Sequence, residues 1–167
     1  MRAKDIMTKD PDCCRPSDTA RDAAQVMRDR DCGCLPIVDD SERVIGIITD
    51  RDLAVRAIAE GKGSDTKLSD LMTPVATCCG PDDDLRDVER TMANLQVRRI
   101  PIVDSAGRCV GIIAQADIAR AAGRDNTVTE REIALVVEQI SEPSRRSGFG
   151  TSGTIDRVIE PGITPQF

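Results

Sequence analysis

The chain has 167 residues, 40% apolar and 31% charged. That is enough for one compact domain or two small repeats around a shared core, and too few for a multidomain enzyme. Its charges sum to −6 with no long basic run, which argues against broad attachment to nucleic acid or anionic lipid and leaves any phosphate ligand to be met locally. No uncharged stretch approaches the ~20 apolar residues of a spanning helix. The opening MRAKDIMTKDP carries charges where an export signal needs a hydrophobic run, so a cytoplasmic location without a membrane partner is expected. Histidine is absent, which removes Ser-His and Cys-His catalytic pairs and histidine-held metals. Only Phe149 and Phe167 are aromatic, so no platform for stacking bases is expected. Seven cysteines in an unexported chain point to small buried residues or reactive thiols before a disulfide framework.

Set against itself at an offset of 65, the sequence repeats. Asp5, Met7 and Thr8 fall on Asp70, Met72 and Thr73, and Cys13-Cys14 falls on Cys78-Cys79. Pro16, Asp18, Arg21-Asp22 and Met27 have counterparts in Pro81, Asp83, Arg86-Asp87 and Met92. Pro36-Ile37-Val38-Asp39 matches Pro101-Ile102-Val103-Asp104, and Gly46-Ile47-Ile48 matches Gly111-Ile112-Ile113. Such a register implies two copies of one unit, packed about a pseudo-twofold axis because neither can bury its apolar face alone.

In chain order, each copy predicts a short strand (Cys13 to Arg15, Thr77 to Cys79) and a helix opening at Ser17-Asp18 or Asp82-Asp83. That helix is marked by Ala20, Ala23, Ala24 and Met27, or by Leu85, Val88 and Met92, at helical spacing. A strand pair follows, Leu35 to Val38 with Val44 to Ile48, and Ile100 to Val103 with Cys109 to Ile113, joined by the polar turns DDSER and DSAGR. A second helix begins at Asp50 or Gln115. The fold class is thus α+β, two tandem β-α-β-β-α units. Gly61 to Ser64 is the hinge, and Lys67 to Met72 is a helical turn or two equivalent to Ala3 to Met7. Beyond the repeats, Thr129 and Glu132 spell a capping box for an amphipathic helix carrying Ile133, Val136, Val137 and Ile140. The Gly-, Pro- and Ser-rich remainder reads as an extended or flexible tail. The divisions expected are 1–63, 64–124, a helix over 125–141 and a tail over 142–167.

DIMT, LPIVD and GIITDRDL, repeated as DLMT, IPIVD and GIIAQADI, resemble the cystathionine β-synthase (CBS) domain pair, or Bateman module, over residues 1 to about 122. The resemblance implies a flat regulatory module with two clefts between its repeats. It implies an adenosine-containing regulatory ligand (AMP, ADP, ATP, NAD or S-adenosylmethionine), with no required cofactor and no catalytic residue. It also implies a homodimer acting on an unknown effector protein. In the family a glycine-apolar-x-Ser/Thr-x-x-Asp motif closes each site, its hydroxyl near phosphate and its aspartate on ribose. Gly46 to Asp52 carries it in full, giving Thr49 and Asp52 those roles. Gly111 to Asp117 has Ala114 in place of the hydroxyl and keeps Asp117. A helix N-terminus does favour phosphate, and a carboxylate can accept both bonds of a ribose diol. Thr49 and Asp52 equally spell a capping box that needs no ligand.

The family's base and phosphate region maps onto Cys32, Gly33 and Cys34 in the first copy and Val97, Arg98 and Arg99 in the second, so the two clefts should differ. Arg98 and Arg99 are multidentate donors suited to phosphate, or else solvated surface arginines. Gly33 leaves room for a purine edge or serves a tight turn. Strand alternation sends one sulfur of each CC pair inward and one outward, without the spacing of a metal knuckle, and Cys109 is expected in the core. The competing readings are a thiol-based redox or metal-responsive protein and a ligand-free dimeric scaffold.

Overall fold

The computed structural model describes residues 1–74 and 77–122, with Ala134 and Glu138 in helical conformation. The amphipathic helix and tail expected after the repeats otherwise lie outside the described residues. A short helix α1 (Ala3–Ile6) and strand β1 (Thr8–Lys9) lead into α2 (Ala20–Arg30), the hairpin β2 (Cys34–Val38) and β3 (Val44–Thr49), and α3 (Asp50–Asp52). The last continues as a π-helical segment over Leu53–Ile58. A 3-10 turn (Leu68–Asp70) and β4 (Thr73–Pro74) open the second copy, followed by α4 (Leu85–Leu95), β5 (Arg99–Val103), β6 (Cys109–Ala114) and α5 (Gln115–Ala122).

Two three-stranded antiparallel sheets form, in the orders β2-β3-β4 and β1-β6-β5. Each copy therefore sends its leading strand to the other copy's sheet. The exchange is reciprocal residue by residue. Thr8 pairs with Ile112 and Lys9 with Gly111, while Thr73 pairs with Ile47 and Pro74 with Gly46. The leading helices follow their strands. Ala3 donates to Asp83 O and Lys4 to Pro81 O, and in the counterpart Leu68 donates to Asp18 O and Ser69 to Pro16 O.

The two cores are assembled accordingly. One gathers Leu35, Ile37, Ile48, Ala23 and Met27 of the first copy with Leu68 and Leu71 of the second. The other gathers Ile100, Ile102, Ile113, Val88 and Met92 with Ala3. Burying a leucine or isoleucine contributes roughly 1.5–3 kcal/mol, so Leu68 and Leu71 tie the copies together as strongly as residues within either one. Strand β2 is buried along its whole length, as its unbroken apolar run predicts, whereas β3 and β6 alternate.

Several local expectations shift. The first expected strand of each copy contracts to one parallel bridge, Cys14 to Ile37 and Cys79 to Ile102. Asp18 captures the Arg15 N–H at 2.7 Å and Asp83 that of Gly80 at 2.7 Å, turning the chain before a strand can extend. Helices α2 and α4 begin after Thr19 and Asp84, slightly later than Ser17-Asp18 and Asp82-Asp83 suggest. Thr19 and Asp22 close a reciprocal capping box, and Asp84 accepts the Arg86 N–H at 3.0 Å. Both helices end on left-handed residues, Asp31 and Gln96.

Candidate functional site

A cleft of about 510 Å³ opens where the two copies meet, within the range that holds nucleotide-sized ligands. Cys32, Gly33 and Cys34 approach it from the first copy, and Arg99, Ala114 and Asp117 from the second. The exchanged strand β1 supplies Thr8 and Lys9. Five of the nine residues singled out from the sequence are thus brought together: Cys32, Gly33, Cys34, Arg99 and Asp117. Thr49, Asp52, Val97 and Arg98 do not line this cleft. The 65-residue offset relates these four to Ala114, Asp117, Cys32 and Gly33.

Backbone pairing explains the convergence. Gly33 O accepts the Asp50 N–H and Arg98 O accepts the Gln115 N–H, so the segment before each hairpin is fastened to the helix start that follows it. Gly33 is not left-handed, so no positive φ demands glycine there. A Cβ there would fall 2.8 Å from Asp50 Oδ2 and 3.4 Å from Arg99 Nη2, so Gly33 is the point where the arginine of one copy closes on the other. Arg98 is exposed and Val97 packs against the second core.

The cleft's charges divide by partner. Arg30 pairs with Asp12 at 2.8 Å and Arg120 with Asp117 at 2.6 Å. Among the described residues the cations Lys9 and Arg99 form no ion pair, and neither do the carboxylates Asp10 and Asp31 that line the same cleft. Lys9 was missed by the sequence reading. The repeat of Thr8 as Thr73 marked this segment, but nothing local showed which cleft it enters.

Both motif aspartates serve their helices. Asp52 Oδ2 accepts Thr49 N at 3.0 Å and Thr49 Oγ1 at 2.7 Å, while Thr49 Oγ1 accepts the Asp52 N–H at 3.1 Å. This is a complete capping box. Asp117 makes half of one, accepting only the Ala114 N–H at 2.8 Å. Each keeps Oδ1 for an arginine, Arg56 at 3.5 Å and Arg120 at 2.6 Å. A carboxylate offers about four acceptor positions, so a ribose hydroxyl can still be received beside the cap. Arg120 is exposed, and such a pair is worth only ~0–1 kcal/mol.

The cysteines sort by face. Cys14, Cys34 and Cys79 are buried, and Cys13, Cys32, Cys78 and Cys109 half-buried. Each CC pair therefore sends one sulfur to a core, as alternation predicts. Cys109 is not a core residue, contrary to expectation: it lies where β6 starts, on the face away from Ile113 and Ile102. Burial pushes the Cys34 thiol up to about 12 and those of Cys14 and Cys79 to about 11. No group of three metal-ligating side chains is arranged to hold an ion among the described residues. No described helix is long and apolar enough to cross a membrane.

Two α+β copies exchanging their leading strands around an inter-copy cleft define a tandem-repeat architecture. A family model described as "CBS domain" matches residues 3–58 and 68–124, and the chain belongs to the CBS domain family. Hypoxic response protein 1 of Mycobacterium tuberculosis is 36% identical over 119 residues, 71% of this chain and 82% of that protein. A crystal structure of Hypoxic Response Protein I with two coordinated zinc ions superposes with a TM-score of 0.66 at 35% identity, covering 72% and 98% of the two chains. The CBS domain pair of protein MJ0100, in complex with 5-methylthioadenosine and S-adenosyl-L-methionine, gives 0.68 at 29% identity, covering 74% and 97%. CBSX2 in complex with AMP gives 0.64 at 26% identity, covering 74% and 96%.

Proposed function

We propose that the chain is a regulatory module that receives an adenosine-containing nucleotide in the 510 Å³ cleft and does no chemistry on it. The supporting observation is that one cleft is lined by Lys9 and Arg99, which form no ion pair among the described residues, together with Asp117 and the small residues Gly33 and Cys34. Phosphate would lie toward Lys9 and Arg99, the purine edge against Gly33 and Cys34, and the ribose diol at Asp117. Thr49, Asp52, Val97 and Arg98 belong by the 65-residue offset to the counterpart cleft. Adenosine derivatives in two structural relatives agree with this class of ligand. Because β1 crosses from one copy to the other, a ligand contacting Lys9, Gly33 and Asp117 binds both copies at once, and its occupancy would report on their relative placement. A homodimer is the proposed assembly; Val55 and Ile58 on the π-helical segment are 49% and 77% exposed, more than an apolar helix face keeps without a partner.

Thermal melts with AMP, ADP, ATP, NAD and S-adenosylmethionine test the reading, since a ligand bound to the folded state alone must raise its apparent stability. A saturable rise with at least one of them, diminished in Asp117→Ala, is expected. No rise with any, together with a stable dimer, would favour the ligand-free scaffold. Sedimentation of the full chain tests the dimer separately, and a monomer would remove it.

A further inference from the structure

We propose that Cys13 and Cys109 form an oxidisable dithiol, a modification site that a low-molecular-weight disulfide converts into a covalent link between the two copies. Strand β1 pairs with β6 through Lys9 and Gly111, and the Asp10 N–H donates to Val110 O at 3.2 Å. The chain leaving β1 is therefore laid along β6 toward Cys109. The Cys13 thiol donates to Pro11 O at 3.4 Å and the Cys109 thiol to Gly111 O at 3.6 Å, and the two thiols lie within electrostatic reach of each other. Both are half-buried, unlike their neighbours Cys14 and Cys79 in the cores. The offset that relates the copies carries Cys13 to Cys78 but Cys109 to Val44, so the pair exists once in the molecule.

The two sulfurs are unequal. The proximity of the two thiols, with burial adding to it at Cys13, pushes Cys13 above the ordinary thiol range and holds Cys109 below it. Cys109 is accordingly the attacking thiolate. It displaces one thiolate from the oxidant and becomes a mixed disulfide. Cys13 then gives up its proton and attacks the Cys109 sulfur, forming the Cys13–Cys109 bond and expelling the second thiolate. Two protein thiols are oxidised, one external disulfide is reduced to two thiols, and the two protons pass to the thiolates released. Cys78 also lies within electrostatic reach of Cys109 and is the competing partner.

The full chain, incubated with oxidised glutathione under non-denaturing conditions, should lose two hydrogens in mass without a retained glutathione. Digestion should join the Cys13 and Cys109 peptides, and dithiothreitol should reverse the change. Cys13→Ser should stop at a mixed disulfide on Cys109, and Cys109→Ser should abolish the link. Cys109→Val, which copies Val44 of the first copy, serves if the serine variant fails to fold. Cys78→Ser should leave the link intact. A Cys78–Cys109 link, a link between chains, glutathione adducts alone in the native protein, or stoichiometric zinc lost in Cys109→Val would each overturn the proposal.

Discussion

The sulfur of Met72 occupies the space that a side chain on Gly46 would need: a Cβ there would fall 2.7 Å from Met72 Sδ and 3.1 Å from Thr73 O. Met7 lies in the same way against Gly111. These contacts are the seams of the strand exchange, because β4 can pair with β3 at Gly46 only if that residue presents no side chain. Gly46→Ala should therefore cost about 1–3 kcal/mol, the range of an overpacked core. Adding Met72→Ala should recover part of the loss, since the flexible sulfur is removed while the Thr73 carbonyl remains. Urea unfolding of the two single variants and the double variant measures the coupling. Strict additivity would mean that Met72 does not set the seam.

The two hairpins, with their paired strands, and the helix starts at Asp50 and Gln115 were legible because apolar runs and turn residues act over a few positions. The exchange was not. Thr8-Lys9 and Thr73-Pro74 are strands of two residues, too short to carry a period, and either could pair in its own copy or in the other. What decides is tertiary: Ala3 and Leu68 fit the opposite cores. The composition of the cleft depends on that choice, so Lys9 went unseen and Cys32 to Cys34 could not be matched to Asp117 rather than Asp52. Cys109 was misplaced because a bulge at Ile102/Val103 pairs it with Val103 and turns it off the face shared by Gly111 and Ile113, which strand alternation alone does not show.

The two motif aspartates should separate on mutation. Asp52 closes a full capping box, so Asp52→Ala should cost roughly 1–2 kcal/mol of stability and leave binding in the Asp117 cleft unchanged. Asp117 gives only half a cap and lines the cleft. Asp117→Ala should weaken nucleotide binding about tenfold or more, as loss of a charge-assisted acceptor does. Calorimetry with the nucleotide that gives the largest thermal shift, on variants that melt cooperatively, decides the matter. Intact affinity in Asp117→Ala would make it a helix-start residue alone.

Arg99 should discriminate among ligands by their phosphates. Its guanidinium has no ion-pair partner among the described residues and closes on Gly33 at the cleft. Arg99→Ala should weaken ADP and ATP more than adenosine, because the contacts to base and ribose stay while a bidentate donor is lost. Equal weakening of adenosine and ATP would place Arg99 against the base or in a purely structural role.

Alkaline pH should act through the buried thiols. Burial, partly offset by Arg99, holds the Cys34 thiol at about 12 against an ordinary value of 9.0, because an anion there would lose its hydration. The folded state thus keeps a proton that the unfolded chain releases. The stability this provides is fully present below pH 9.0 and is lost as the pH rises toward the folded value. One such thiol contributes a slope of at most ~1.4 kcal/mol per pH unit in that window. Urea midpoints from pH 7 to 11 should fall more steeply above pH 9 for the wild type than for Cys34→Ala, after allowing for the variant's lower starting stability. Parallel curves would show that Cys34 ionises as readily in the folded protein as in the unfolded chain, and that its surroundings are wet.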